Sequence, residues 1–330
     1  MGSKENRRKS SLTCIPVRIL KGLSKTCQYR FRKNRNFKSD MHYCLSALTT
    51  YGAFKQNPQK VVRATSLVKS GKVYQLGRVL DLNSPTHPFH GPLFYSSFRR
   101  FRDSLRAWRG DFGAMNVRIE ITDHTGTHVD ALNHVTKGEE LYGGIHIGDV
   151  ETEHGTSKLG AENFMPIITR GMLLDIPVVK GVEILPDDYE ITMSDVESAL
   201  KLEGLKEPTE GDVVLFRTGW GSLWGKDNQR YIGPPIPGIS LEVARWLSRR
   251  GVVLVGGDTP SVERIVKEPP NTPHIEPVHQ HLIVEKGIFI LENLDLEDLS
   301  RDRVYEFLFI CNPVRIRGAT AGFVNPVAIS

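Results

Sequence analysis

Cysteine is scarce in this chain: 330 residues carry four, at Cys14, Cys27, Cys44 and Cys311, and no two stand in Cys-x-x-Cys spacing. This excludes a disulfide-stapled secreted scaffold and a thiolate zinc knot, and it reads as a reducing, cytoplasmic setting. Long apolar runs are missing too; none approaches the ~18 residues of a bilayer-spanning helix. The stretch Gly219-Trp220-Gly221-Ser222-Leu223-Trp224-Gly225 misses the Gly-x-Ser-x-Gly spacing of a nucleophile elbow and fails as a Gly-x-Gly-x-x-Gly dinucleotide loop. There is no Walker-type phosphate loop and no internal repeat of useful period. Serine-nucleophile, dinucleotide and P-loop chemistries drop out.

Acid is what the N-terminus lacks. Residues 1–60 hold fourteen Lys and Arg against Glu5 and Asp40, whereas the other 270 hold 29 basic and 36 acidic side chains. The net charge of +5 therefore hides an arm at +12 and a body at −7. A body of that sign argues against broad phosphate contact, so no nucleic-acid or membrane partner is read from it. Residues 1–65 read as a basic, disordered extension; an organelle-targeting presequence and an arm for nucleic acid or anionic membrane stay open beside it. Met1-Gly2 resembles a myristoylation start, but position 6 is Asn6 rather than Ser or Thr. With 39% hydrophobic and 25% charged residues the chain has the composition of a soluble globular enzyme. Residues 66–330 read as a single catalytic domain.

Histidine, by contrast, is concentrated. His124, His128, Asp130 and His134 fall within eleven residues of a chain that has eleven histidines in all. Imidazole and carboxylate ligands suit Zn²⁺ and Mn²⁺. On a helix, Asp130 would point roughly 240° away from His124. All four sit at even offsets, so an extended segment sends them to one side, yet a straight strand would hold its ends about 33 Å apart. The segment must curl, and Gly126 lets it. Alternation of Val117, Ile119 and Ile121 with Arg118, Glu120 and Thr122 predicts a half-buried strand, Val117 to Thr122, running into this turn. What remains chemically is metal-assisted attack by water.

Strand-like runs at Val73–Leu82, Met172–Ile176, Val213–Thr218, Val252–Val255 and Ile288–Leu291 alternate with helical segments, an α/β pattern. Ser194-Asp195-Val196-Glu197 reads as a capping box, and Ser240 caps a second helix running to about Arg249, before Gly251. Asn83–Pro92 reads as a loop that carries His87 and His90. Phe94–Trp108 reads as a flap or helix able to reach a pocket, and Lys137–Leu159 as irregular. Trp220, Trp224 and the 94–108 segment are the candidates for an aromatic wall.

The string His124-Thr125-Gly126-Thr127-His128-Val129-Asp130, followed by His134, resembles the signature of the cyclase family of metal-dependent hydrolases, which includes bacterial-type kynurenine formamidases and isatin hydrolases. Blocks at Gly171–Ile176, Gly211–Trp220, Gly257–Glu263, His279–Ile283, Leu291–Leu294 and Arg315–Gly322 resemble the family in the same order. The resemblance runs from residue 71 to the C-terminus. It implies the swivelling β/β/α cyclase-like fold and a homo-oligomer, a homodimer by expectation. It also implies hydrolysis of a carbon–nitrogen bond in a small aromatic formamide or cyclic amide, as in tryptophan catabolism.

The resemblance further implies a divalent metal, Mn²⁺ or Zn²⁺, on His124, His128 and Asp130, with His134 as proton shuttle. In kynurenine formamidases a histidine, with a glutamate twelve residues later, helps to hold a second metal. Counting back twelve from Glu292 lands on Gln280, between His279 and His281. Isatin hydrolases, in which a glutamine completes a single-manganese site, resemble this chain better there. One metal, with Gln280 as a ligand, is the expectation, and two stay open. Glu292 then binds a second ion or orients His279, the other candidate catalytic residue. Ala131 and Leu132 stand where the family often has Pro, which loosens the turn after Asp130. The same resemblance leaves open a ring-closing or dehydrating step on a polyketide-like substrate. A metal-stabilised binding module with a nucleic-acid-contacting arm is the non-enzymatic alternative.

Overall fold

The computed structural model describes residues 57–267 and 276–330; the basic arm as far as residue 56 lies outside them. Nine strands form the main sheet: β1 Val73–Gln75, β2 His128–Asp130, β3 Ile167–Asp175, β4 Val213–Arg217, β5 Leu254–Gly257, β6 Phe289–Glu292, β7 Glu306–Cys311, β8 Ala321–Phe323 and β9 Val327–Ile329. Their spatial order is β1-β9-β7-β3-β4-β5-β6-β2-β8. The four from β3 to β6 run parallel, and every pairing outside them is antiparallel. Parallel strands are covered on both faces, which explains why Val213-Val214-Leu215-Phe216 of β4 is apolar at each position and buried throughout. Each such side chain stabilises the fold by roughly 1.5–3 kcal/mol relative to exposure.

Helices make the crossovers, as parallel pairing demands. Numbering α1 Pro58–Thr65, α2 Phe101–Trp108, α3 Met193–Leu202 and α4 Leu241–Arg250, α3 links β3 to β4 and α4 links β4 to β5. A short helical turn, Pro277–His279, runs directly into a π-helix, Gln280–Glu285, before β6. For α4 the expected signals hold: the Ser240 hydroxyl accepts from Val243 N, and Gly251 ends the helix at φ 75°. For α3 the cap lies two residues earlier than expected. Thr192 and Asp195 close the box, because the buried Asp195 carboxylate also collects the Thr192 hydroxyl at 2.9 Å.

Other expectations are corrected. The opening strand stops at Gln75, because Gly77 N and Arg78 N donate to the Asn325 and Thr127 side chains instead of a neighbouring strand. The Val117–Thr122 strand is Asn116–Glu120, and it is not half-buried: it pairs with Phe94–Arg99 in a separate hairpin whose residues are all exposed. Its alternation records an apolar face that nothing in the described chain covers. Phe94–Trp108 divides into the partner strand and α2. Within 137–159 lie two short ladders, Glu140–Leu141 with Ile145–His146 and Glu151–Thr152 with Gly155–Thr156. Helix α1, inside the stretch assigned to the arm, is anchored on the sheet domain by buried Ala64 and by Lys60 Nζ at 3.2 Å from Asp212. No helix among the described residues is long and apolar enough to cross a membrane.

Candidate metal centre

The parallel run ends at β6 and antiparallel β2 takes over, a change of topology of the kind that places binding sites in open sheets. The register sets His128 opposite Glu292 on β6 and Asp130 opposite Ala321 on β8. Strand alternation turns His128 and Asp130 to one face and sends Val129 into the core. Ahead of β2 the chain curls at Gly126, at φ +71°, where a Cβ would lie 2.5 Å from Leu80 Cδ2. The positive φ is what calls for glycine there.

Hydrogen bonds fix which nitrogens face inward. His128 Nδ1 donates to Gly126 O at 2.8 Å, leaving Nε2 bare. His124 Nε2 donates to Thr320 Oγ1 at 2.9 Å, since the Thr320 hydroxyl donates onward to Asp123 Oδ2; Nδ1 is left bare. The two bare nitrogens stand 3.1 Å apart, and Asp130 Oδ1 lies 3.3 Å from one and 3.4 Å from the other. On the other side of Asp130, His279 Nε2 is 3.7 Å from Oδ2 and 3.2 Å from Glu292 Oε1. His124, His128 and Asp130 form one potential ligand set and Asp130, His279 and Glu292 a second, so Asp130 belongs to both; Glu263, Glu276 and His279 form a third, on the Nδ1 side of the His279 ring.

Asp130 is 0% exposed, and neither carboxylate oxygen accepts a hydrogen bond. An uncompensated buried charge costs several kcal/mol. The neighbours respond to the same field. Burial disfavours a charged His128, yet Asp130 and Glu292 hold its pKa up at about 9. Burial likewise opposes His279, whose pKa nonetheless stands well above the usual histidine range beside Glu276, Glu263 and Glu292. Glu292 is pushed up by burial and then by the Asp130 charge. The donors together call for positive charge at their centre, and hard oxygen with borderline imidazole fits a divalent cation such as Zn²⁺ or Mn²⁺.

His134 lies against this cluster, its ring centroid 4.0 Å from that of His124 and 6.3 Å from that of His279. Burial drives its pKa down to about 3, which keeps it neutral. Gln280 is not brought to the cluster: its Nε2 donates to Thr136 O at 3.1 Å. His281 also turns away, bonding Ser248 Oγ and Glu285. The histidine that enters is thirteen residues before Glu292, one more than the spacing used to select Gln280. The π-helix in between accommodates that extra residue.

The other sequence blocks brace the centre. Asn293, at φ 57°, donates from its amide to Gly126 O, accepts on its own carbonyl from Thr127 Oγ1, and takes the Tyr231 hydroxyl on Oδ1. Asp123 binds the C-terminal block through Thr320 N and Ala321 N. Two carboxylates that sequence reasoning did not single out, Glu263 and Glu276, flank His279 Nδ1 at 2.6 and 3.7 Å. Glu263 closes the Gly257–Glu263 block, but no local pattern marks its role.

A cavity of about 470 Å³ opens over His124, His128, His134, His279 and Glu292. Its other walls are largely apolar, from Ile232, Pro234, Ile236, Pro260, Ile265 and Val266. Neither tryptophan lines it; Trp220 is wholly buried, with Nε1 bonded to Tyr231 O. The aromatic contribution comes from Tyr231 and from the 85–90 loop through Phe89, His87 and His90, and His90 stacks on His124 at 5.0 Å.

A mixed sheet that gathers imidazoles and carboxylates around one buried aspartate, beneath an apolar cavity, defines a candidate metal-dependent enzyme. The family model described as putative cyclase matches residues 74–264, and the chain belongs to that family. It is similar to a kynurenine formamidase of Bacillus thuringiensis subsp. konkukian, 29% identical over 217 residues, which are 65% of this chain and 80% of that one. A crystal structure of a novel cyclase shares 29% identity at a TM-score of 0.76, covering 85% of this chain and 96% of the other. Isatin hydrolase A from Ralstonia solanacearum shares the fold at 18% identity and a TM-score of 0.59, over 83% of this chain and 97% of its own.

Proposed function

We propose that the chain is a metal-dependent hydrolase that cleaves the carbon–nitrogen bond of a small aryl formamide or cyclic amide. The observation that carries this is Asp130, a buried carboxylate without a hydrogen bond, set between two groups of donors that line an apolar-walled cavity. A divalent cation there would supply Lewis acidity, making water a better nucleophile at neutral pH and polarising a carbonyl oxygen. His124, His128 and Asp130 would hold one ion, and Asp130, His279 and Glu292 a second, with Gln280 outside both sets. Neutral His134 takes the proton from water and returns it to the leaving nitrogen. The aliphatic wall offers an apolar surface to a planar ring. The kynurenine formamidase relative supports the carbon–nitrogen assignment.

The active form in this reading is a homo-oligomer, which would cover the apolar face of the hairpin and α2. Buried Cys311, the one free cysteine among the described residues, fits a reducing, cytoplasmic setting.

The test is reconstitution. Metal-stripped protein given Zn²⁺ or Mn²⁺ should turn over N-formylkynurenine or isatin in an ultraviolet assay, with about two ions bound per chain. Equal metal content in wild type and an Asp130→Ala/His128→Ala double variant would remove the reading.

A further inference from the structure

We propose that Glu263 is a positioning residue that holds His279 with Nε2 bare and aimed at Asp130 and Glu292. The proposal rests on the two-ion reading above and adds the group that makes the second ligand set competent. Glu263 is 2% exposed, and three donors converge on its carboxylate. Oε1 accepts His279 Nδ1–H at 2.6 Å and the His279 backbone N–H at 2.8 Å; Oε2 accepts the Val278 backbone N–H at 3.2 Å. Ring and backbone of the same histidine are thus held by one side chain.

An ionised carboxylate only accepts, so Nδ1 must carry the hydrogen. When the imidazole is neutral, its single lone pair is then on Nε2, directed at two carboxylates 3.2 and 3.7 Å away. A lone pair facing carboxylate oxygens is repulsive unless a proton or a metal cation stands between them; without metal, His279 Nε2 lies within hydrogen-bond distance of Glu292 Oε1. The carboxylate–imidazole pair also raises the basicity of the ligating nitrogen, the usual way an outer carboxylate strengthens a metal site. Glu263 is itself fixed: Ile239 bridges to it, and a Cβ on Gly238 would come 2.2 Å from its carbonyl carbon. Backbone packing on one side and the helical turn on the other leave its carboxylate little freedom.

Calorimetric titration of the metal-stripped full chain with Zn²⁺ tests this. Wild type should take two ions. Glu263→Gln, which keeps the shape and loses the charge, should weaken one ion by roughly 10–100-fold and leave the other within about twofold. Glu263→Asp should recover part of the loss. A simple fold brace predicts instead that both ions weaken together with the thermal stability of the metal-free protein, and that result overturns the proposal. Two ions bound with unchanged affinity in Glu263→Gln overturns it alone; no ion in wild type overturns the metal reading beneath it. One measurement needs no variant to fold at the Glu263 position. Long-range proton–nitrogen NMR of zinc-loaded wild type, with the His279 signals assigned through His279→Gln, should show hydrogen on Nδ1. Hydrogen on Nε2 would overturn the assignment.

Discussion

His134 owes its chemical character to its company. It shares the cluster with three other histidines and one aspartate, and burial keeps it uncharged. It contacts the His124 ring without belonging to any of the ligand sets. His134→Ala should therefore retain its metal while turnover falls roughly 10²- to 10⁴-fold, the span for loss of a general acid–base; metal loss in step with activity would make it a ligand. Glu203 is a different case. It follows α3, its Oε1 accepts Asp175 N at 2.8 Å, and its Oε2 is buried without a partner. Burial, with the Asp175 charge, pushes its pKa from 4.5 to about 8. The folded state then holds a proton that the unfolded chain releases. Its contribution to stability is complete below pH 4.5 and is lost as pH rises towards 8. Glu203→Gln keeps the acceptor for Asp175 N and should flatten that slope. At pH 9 it should exceed wild type by roughly 1–3 kcal/mol in denaturant unfolding, and at pH 5 the two should nearly coincide.

At the scale of elements, legibility follows locality. His124, His128 and Asp130 could be read because they are contiguous and alternate on a short strand behind a glycine turn. The caps of α4 could be read for the same reason. Glu263 could not, because its partner His279 is met only in space. The family spacing of twelve points to Gln280, whereas the histidine beside Glu292 stands thirteen residues back, with a π-helix between the two. The hairpin strand had the right period but not the inferred environment: alternation shows that one face is apolar, not what covers it. Helix α1 makes the same point about boundaries. The motifs and strand patterns all lie beyond residue 65, which assigns 1–65 to the arm, whereas Ala64 and Lys60 anchor Pro58–Thr65 to the sheet. A chain beginning at residue 57 should unfold at the full-length temperature, and one beginning at residue 66 several degrees lower. Equal melting of the two in scanning calorimetry would show that α1 adds nothing.

For the whole molecule, the hairpin and α2 set the expectation. Phe94, Phe98, Phe101, Trp108, Phe112 and Ile119 are all exposed within one continuous stretch. Soluble monomers rarely expose apolar side chains in such a run. The mass in solution by light scattering should be that of at least two chains. A Phe98→Ser/Ile119→Ser variant should shift towards one chain with its metal content intact. A monomeric wild type would refute the oligomer reading and leave the metal centre untouched.

The place of β2 between β6 and β8 has a consequence for how the molecule is made. The segment 128–130 is synthesised well before its two neighbours in the sheet, residues 289–292 and 321–323. Long-range pairings of this kind are closed late, because the intervening loop entropy is lost before the contacts repay it. On the ribosome the histidine-rich turn must wait, with its strand unpaired, until both of these later strands have emerged. A cation on His128 and Asp130 would then be held only once β6 and β8 have closed on β2.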